Sequence, residues 1–259
     1  MDLTDPPVTA GPAAVTAGPA AVPGAHRLLD IPGVRNARDV GGFRTTDGAR
    51  VRTGLLYRSG WLAELTPEGT RALAKLGLRT VLDLRDPAEM LVRPDRLGGL
   101  DVSTSHHPLL PQDGVDHYGE PLHEAYRLIT DAAAGTLAAL LGRLTEPEAL
   151  PALVHCAVGR DRTGIAVAVL LSVLGVPDED IVDDYLLSNL GLGLLDGVPQ
   201  EYLDAKGVVR FTEIVGPELI TGALAALRGR HGSLPAFLAG AGLGEEGVAR
   251  LRALFLEPA

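Results

Sequence analysis

Apolar residues come in short runs separated by polar, glycine-rich breaks, and the run lengths predict alternating strands and helices. Ala152-Leu153-Val154 is short enough for a buried strand, and Ile165 to Leu171 is long enough for a buried helix. The residues between them, 155–164, then form a strand-to-helix turn. Strands are also expected over 54–60, 80–84 and 102–109. Helices are expected over 65–76, 122–134 and 136–144, from Pro177 onward, and over 217–228, 234–239 and 245–256. Thr66 and Pro67 suit a cap and a first helical position. Phe43-Arg44-Thr45 and Val51-Arg52-Thr53 flank Asp47-Gly48, a hairpin signal. Together these predict an α/β fold: a central, mostly parallel sheet with helices on both faces and an amino-terminal β-hairpin.

The first 25 residues stand apart. Val8-Thr9-Ala10-Gly11-Pro12-Ala13-Ala14 recurs at once as Val15-Thr16-Ala17-Gly18-Pro19-Ala20-Ala21. Such a repeat has little to bury and reads as a disordered tail. Folded structure is expected to begin near Leu28, and residues 26–259 to form one domain. The polar stretch 110–121 reads as a lid or a mobile loop, with 110–144 as lid and covering helices.

Composition adds limits. Of 259 residues, 46% are apolar but only 4% aromatic, so the core must be aliphatic. The single cysteine excludes an intrachain disulfide, which fits a reducing compartment. No run is long and apolar enough to span a membrane, and the tail lacks the basic start of a secretory signal. The expected location is cytoplasmic. A net charge of −10 argues against a nonspecific nucleic-acid binder. The charge is uneven: residues 26–100 hold 13 Lys/Arg against 9 Asp/Glu. Arginines from this third, with Arg160 and Arg162, would make one patch locally positive.

The turn at 155–164 carries the candidate chemistry. Its sequence is His155-Cys156-Ala157-Val158-Gly159-Arg160-Asp161-Arg162-Thr163-Gly164. Backbone N–H groups at such a turn converge at the positive end of a helix dipole, where an anion is favoured. A cysteine there is expected as a thiolate, a strong nucleophile towards phosphorus. Arg162 offers a planar fork that matches two phosphate oxygens. The N–H groups of residues 157–162 would hold the other oxygens as charge shifts in the transition state. Thr163 can donate its hydroxyl to the sulfur, and His155 is expected to orient the loop.

Cysteine, five residues, arginine, then Thr-Gly resembles the signature loop of the cysteine-dependent phosphatases. The basic residue and Asp161 ahead of Arg162 resemble a bacterial branch, the tyrosine/serine and phosphoinositide phosphatase-like proteins, whose loop usually has Lys where Arg160 stands. Asn36-Ala37-Arg38-Asp39-Val40-Gly41-Gly42, Tyr57-Arg58-Ser59, Asp83-Leu84-Arg85 and Asp184-Tyr185-Leu186-Leu187-Ser188-Asn189 are similar to other segments of that branch. The resemblance implies a cysteine-phosphatase fold; the loop's chemistry predicts a cysteinyl-phosphate intermediate, and no cofactor or metal is expected. It implies a phosphorylated protein, phosphotyrosine first, or a phosphoinositide as substrate.

Two residues compete as the acid that protonates the leaving group. Asp161 is favoured by the resemblance, although flanking arginines favour its charged form, which a bound phosphate dianion would oppose. Asp83 sits near a strand's carboxyl end, where ligands of open α/β sheets gather. Arg58 is expected at the rim of the site or on the surface, Arg38 and Asp39 as an ion pair, and Asp178 to Asp184 in structural roles at a helix start. Arg160 is expected to add charge at the loop's mouth, which suits polyanionic substrates. His106, His107, Asp113, Asp116, His117 and His123 show no metal-ligand spacing. The alternative to an enzyme is a module of the same fold that binds phosphate without turnover.

Overall fold

The computed structural model describes residues 22–110, 120–204 and 206–258. Expectations for residues 1–21 and 111–119 fall outside it, including most of the tail, most of the polar loop, and Asp113, Asp116 and His117.

The chain lays down strands β1 (Arg38–Asp39), β2 (Arg50–Val51) and β3 (Leu56–Ser59), helix α1 (Pro67–Ala74), strand β4 (Thr80–Asp83), helix α2 (Pro87–Val92) and strand β5 (Ser103–His106). Helices α3 (Leu122–Ala132) and α4 (Ala134–Arg143) follow, then strand β6 (Ala152–His155) with helices α5 (Asp161–Leu174) and α6 (Asp178–Gly191). Strands β7 (Gln200–Leu203) and β8 (Val209–Thr212), helices α7 (Glu218–His231), α8 (Leu234–Gly240) and α9 (Glu245–Phe255), and strand β9 (Leu256–Glu257) complete it.

The central sheet runs in the order β1-β3-β6-β4-β5. Strand β6, late in the chain, inserts between β3 and β4, and β3, β6, β4 and β5 are parallel. The expected mostly parallel sheet is therefore present, with β1 as its antiparallel edge. In this register His155 lies between Ser59 and Asp83. The turn that follows His155 thus leaves from the middle of the sheet, at the strands' carboxyl ends.

Strand periodicity divides the core in two. Leu56, Leu82 and Val154 point into the larger cluster, with α3 to α5 and α7 to α9. Tyr57, Val81 and Leu153 point into the smaller one, with Leu73 of α1. Burying a side chain such as Leu82 contributes about 1.5–3 kcal/mol. Helix α5 is covered on nearly every side: all its residues but Asp161 and Ser172 are buried. That is why the apolar run after Gly164 lacks a polar face.

Arg27, inside the expected 26–259 domain, donates its guanidinium to Asp39 O and Asp184. Other parts of the chain differ from the sequence expectation. The amino-terminal hairpin turns at Asp47-Gly48, but β2 also pairs with β9 from the far end of the chain. Helix α2 and the hairpin of β7 and β8 were not anticipated. Asp86 caps α2 and Glu89 returns the bond to the Asp86 amide, a capping box legible as Asp-Pro-x-Glu.

Candidate active site

The turn expected at 155–164 joins β6 to α5, and its carbonyls decide its shape. Cys156 O lies 3.3 Å from His155 Nδ1, and Ala157 O accepts from the Trp61 amide. Val158 O and Gly159 O accept from Asn36 Nδ2 at 3.3 and 2.9 Å. Gly159 O also accepts from Arg58 Nη2 at 2.8 Å, and Arg160 O accepts from the Gly164 amide. Each carbonyl from 156 to 160 thus has a donor outside the loop's cradle. The amides of 157–160 donate to none of the described residues, an arrangement that could receive an anion.

Glycine is required at position 159 and fits closely at 164. Gly159 has φ of 71°, and a Cβ there would fall 2.3 Å from Ser59 C and O. At Gly164 a Cβ would press on the Tyr185 ring at 3.0 Å. The loop therefore lies directly on β3, and Tyr185 directly on α5.

Cys156 is buried at the end of β6. Arg162, also buried, is gripped by Glu89 of α2 through Nη1 at 2.5 Å and Nη2 at 2.8 Å. Glu89 was missed in the sequence, although its capping box was readable there. The Thr163 hydroxyl is buried with no hydrogen-bond partner, so the expected bond to the cysteine sulfur is not formed.

Arg58 is neither at the rim nor on the surface. It is 1% exposed, behind the loop, and its Nη1 meets Asp184 Oδ2 at 2.5 Å. Arg38 also turns to Asp184, not to Asp39. Asp39 instead accepts from the Gly41 and Gly54 amides, both at 2.7 Å. Asp184 thus holds Arg27, Arg38 and Arg58. Burial opposes its charge, but the arginines outweigh burial and hold its pKa well below the usual carboxylate range. Burial and the neighbouring Arg58 pull Arg38 down to about 9, still charged at neutral pH. Three guanidinium groups thus converge on one buried carboxylate beneath the loop.

The Arg160 side chain is only 3% exposed; Nε donates to Asp161 Oδ1 at 3.0 Å and Nη1 to Glu213 O at 2.5 Å. Its charge is thus paired, although the residue lines the cavity beside Asp161.

Asp83 and Asp161 have different surroundings. Arg85 grips both oxygens of Asp83, at 2.7–3.1 Å. Burial raises the Asp83 pKa, but His155 and Arg85 outweigh it and bring it down to about 2. A carboxylate so held has no proton to give, which speaks against Asp83 as the acid. Asp161, at the first position of α5, is one-fifth exposed as a side chain. It accepts from the Tyr126 hydroxyl of α3 at 2.9 Å.

His155 is fully buried. Its Nε2 lies 3.1 Å from Asp95 Oδ2, close enough for an ion pair but out of hydrogen-bond alignment. Burial lowers its pKa, yet the charges of Asp83 and Asp95 win and raise it. Asp83, Asp95 and His155 offer ligand atoms within 4.8 Å of one another. Arg85 Nη2 already stands 2.7 Å from Asp83 and 2.8 Å from Asp95, so a guanidinium takes the place of a cation. His106 and His107 are engaged elsewhere, with Arg85 O and Ser105 Oγ.

Beside Asp161 opens a cavity of about 300 Å³. Its lining is mixed: Arg160, Asp161 and Arg210 are charged, and Leu122, Tyr202 and Phe211 are apolar or aromatic. Tyr202 and Phe211 come from β7 and β8, in a third of the chain that carried no expected site. The alternation around the Lys206-Gly207 turn was the available signal.

Known proteins are similar to this sequence. Residues 29–257 match a family described as the tyrosine phosphatase family. The chain is 32% identical to the triple specificity protein phosphatase PtpB of Mycobacterium tuberculosis, over 88% of this chain and 99% of that one. It is 30% identical to a tyrosine-protein phosphatase of Nostoc commune, over 56% of this chain and 50% of that one. No helix among the described residues is long and apolar enough to cross a membrane.

Proposed function

This chain belongs to the tyrosine phosphatase family, and on that premise we propose that Cys156, Arg162 and Asp161 carry out hydrolysis of a phosphomonoester. One observation carries the reading. The loop's carbonyls are all held by donors outside its cradle, so the cradle presents amides alone, with Cys156 at its start and Arg162 at its end. That is a site built for an anion next to a nucleophile.

In the first step the Cys156 thiolate attacks phosphorus and an S–P bond forms. The P–O bond to the leaving group breaks, its electron pair stays on oxygen, and Asp161 supplies the proton. The amides and Arg162 hold the equatorial oxygens throughout. In the second step water attacks phosphorus, its proton goes to Asp161, and the S–P pair returns to sulfur. His155 and Glu89 orient the loop and Arg162, and Arg58 braces the loop from behind. Residues 26–259 act as one phosphatase domain.

The substrate we favour is a phosphotyrosine residue, with phosphoserine, phosphothreonine or a phosphoinositide as further substrates. The aromatic rings of Tyr202 and Phe211 in the cavity beside Asp161 support an aryl leaving group. The relative named as a triple specificity phosphatase supports the wider range. Turnover of para-nitrophenyl phosphate by the wild type and its loss in Cys156→Ser tests the reading. Turnover that survives in Cys156→Ser, or is absent from the wild type, rejects it.

A further inference from the structure

We propose that Tyr126, backed by Tyr185, is a positioning residue that fixes the Asp161 carboxyl so that Oδ2 is the oxygen that gives and takes the proton. This rests on the reading of Asp161 as the general acid and extends it to two residues on other helices.

The argument starts from counting donors. Tyr126 Oη donates to Asp161 Oδ1 at 2.9 Å. Tyr126 Oη and Tyr185 Oη are 2.7 Å apart. A phenol has one proton, and that of Tyr126 is committed to Asp161. Tyr185 must therefore donate to Tyr126, and the chain runs Tyr185 to Tyr126 to Asp161. Each bond in such a chain polarises and strengthens the next.

The receiving carboxyl is asymmetric. Oδ1 accepts both the Tyr126 hydroxyl and Arg160 Nε, at 2.9 and 3.0 Å. Oδ2 has only the longer contact from Arg160 Nη2, at 3.3 Å. With Oδ1 filled by donors, Oδ2 is the atom with room for a transferable proton. Two donors on one oxygen also stop the carboxyl from turning over.

The donors are built to last. Burial first, then the Asp161 charge, raises the Tyr126 pKa well above the ordinary phenol value. Burial and Asp161 likewise raise that of Tyr185. Both stay protonated over the working range of any such enzyme, so the tether does not titrate away. The rings meet edge to face, 6.4 Å apart at 84°. The Tyr185 ring is seated on α5 at Gly164, where any Cβ would meet it at 3.0 Å. Helices α3 and α6 thereby set one carboxyl on α5.

The test compares aryl phosphates of good and poor leaving groups. Wild type, Asp161→Asn, Tyr126→Phe and Tyr185→Phe are each assayed for kcat and KM. Asp161→Asn should lose rate mainly on the poor leaving group. Tyr126→Phe should shift the ratio of the two rates in the same direction, by about tenfold, with KM little changed. Tyr185→Phe should shift it less. Tyr126→Phe placed on Asp161→Asn should add nothing to the ratio. A wild-type ratio in Tyr126→Phe beside a shifted ratio in Asp161→Asn overturns the positioning role alone. A wild-type ratio in Asp161→Asn overturns both. If Tyr126→Phe does not fold, Tyr185→Phe decides: a shifted ratio upholds the tether and an unshifted one overturns it.

Discussion

Glu89 of α2 holds Arg162 of α5 by both terminal guanidinium nitrogens, at 2.5 and 2.8 Å. The same carboxylate accepts the Asp86 amide that opens α2. One side chain thus caps a helix and holds the arginine proposed for the phosphate.

Glu89→Gln keeps an acceptor for the Asp86 amide but removes the charge facing Arg162. A hydrogen bond to a charged group contributes about 1.5–3 kcal/mol. The expected result is a fall in kcat/KM for para-nitrophenyl phosphate of about 10- to 100-fold. A drop of less than twofold shows that the pairing does not position Arg162.

Gly159→Ala should nearly abolish turnover. Its φ of 71° is strained for alanine, and the added Cβ would lie 2.3 Å from Ser59 backbone atoms. Gly77 has a similar φ of 65°, with nothing within 4 Å of a Cβ. Gly77→Ala therefore isolates the backbone cost, about 1–2 kcal/mol of stability, and should leave turnover intact. Equal effects of the two variants on kcat contradict the close approach of loop and strand.

Arg58→Met should destabilise the fold more than it alters substrate choice. It leaves Gly159 O with one donor fewer and removes one of the three cations on Asp184. Breaking a buried pair typically costs about 3–5 kcal/mol. Chemical denaturation should show a large loss of stability. Unchanged stability with altered preference between charged and neutral substrates would place Arg58 at the rim instead.

Acid stability should depend on Asp83. Its pKa in the fold, about 2, lies below the ordinary 3.8. Its stabilising contribution is therefore complete above pH 3.8 and vanishes as pH falls towards 2. It amounts to about 2 kcal/mol at neutral pH. His155 works in the opposite sense. Its raised pKa gives stability that is present below 6.5 and lost as pH climbs through the folded value. Melting curves of Asp83→Asn should show a lower Tm at pH 7 and a shallower decline below pH 4 than wild type. Parallel declines in both proteins contradict this account.

Phe211 should matter to binding and not to folding. It is 59% exposed and walls the cavity beside Asp161. Phe211→Ala is expected to raise KM for aryl phosphates several-fold while Tm and inhibition by inorganic phosphate stay unchanged. An unaltered KM removes the hairpin from substrate contact.

Local chemistry was legible in the residue order. The lengths of the apolar runs marked β6 and α5, and Thr66-Pro67 marked the start of α1, because periodicity and capping act within a few residues. Cys156, Arg162 and the glycines of the turn were readable for the same reason, since one loop holds them all. What could not be read was who stands behind that loop. Asn36, Arg58, Glu89, Tyr126 and Asp184 reach it from distant parts of the chain, and nothing in local spacing says which arginine a buried aspartate will hold. Sequence alone thus placed the chain's one cysteine at the amino end of a helix after a buried strand. The tertiary structure decided that Arg160 pairs with Asp161 beside the cavity, that Asp83 is held by Arg85, and that Asp161 accepts two donors on one oxygen. Charges and hydroxyls choose partners by distance in three dimensions, and packing around β6 and α5 sets those distances.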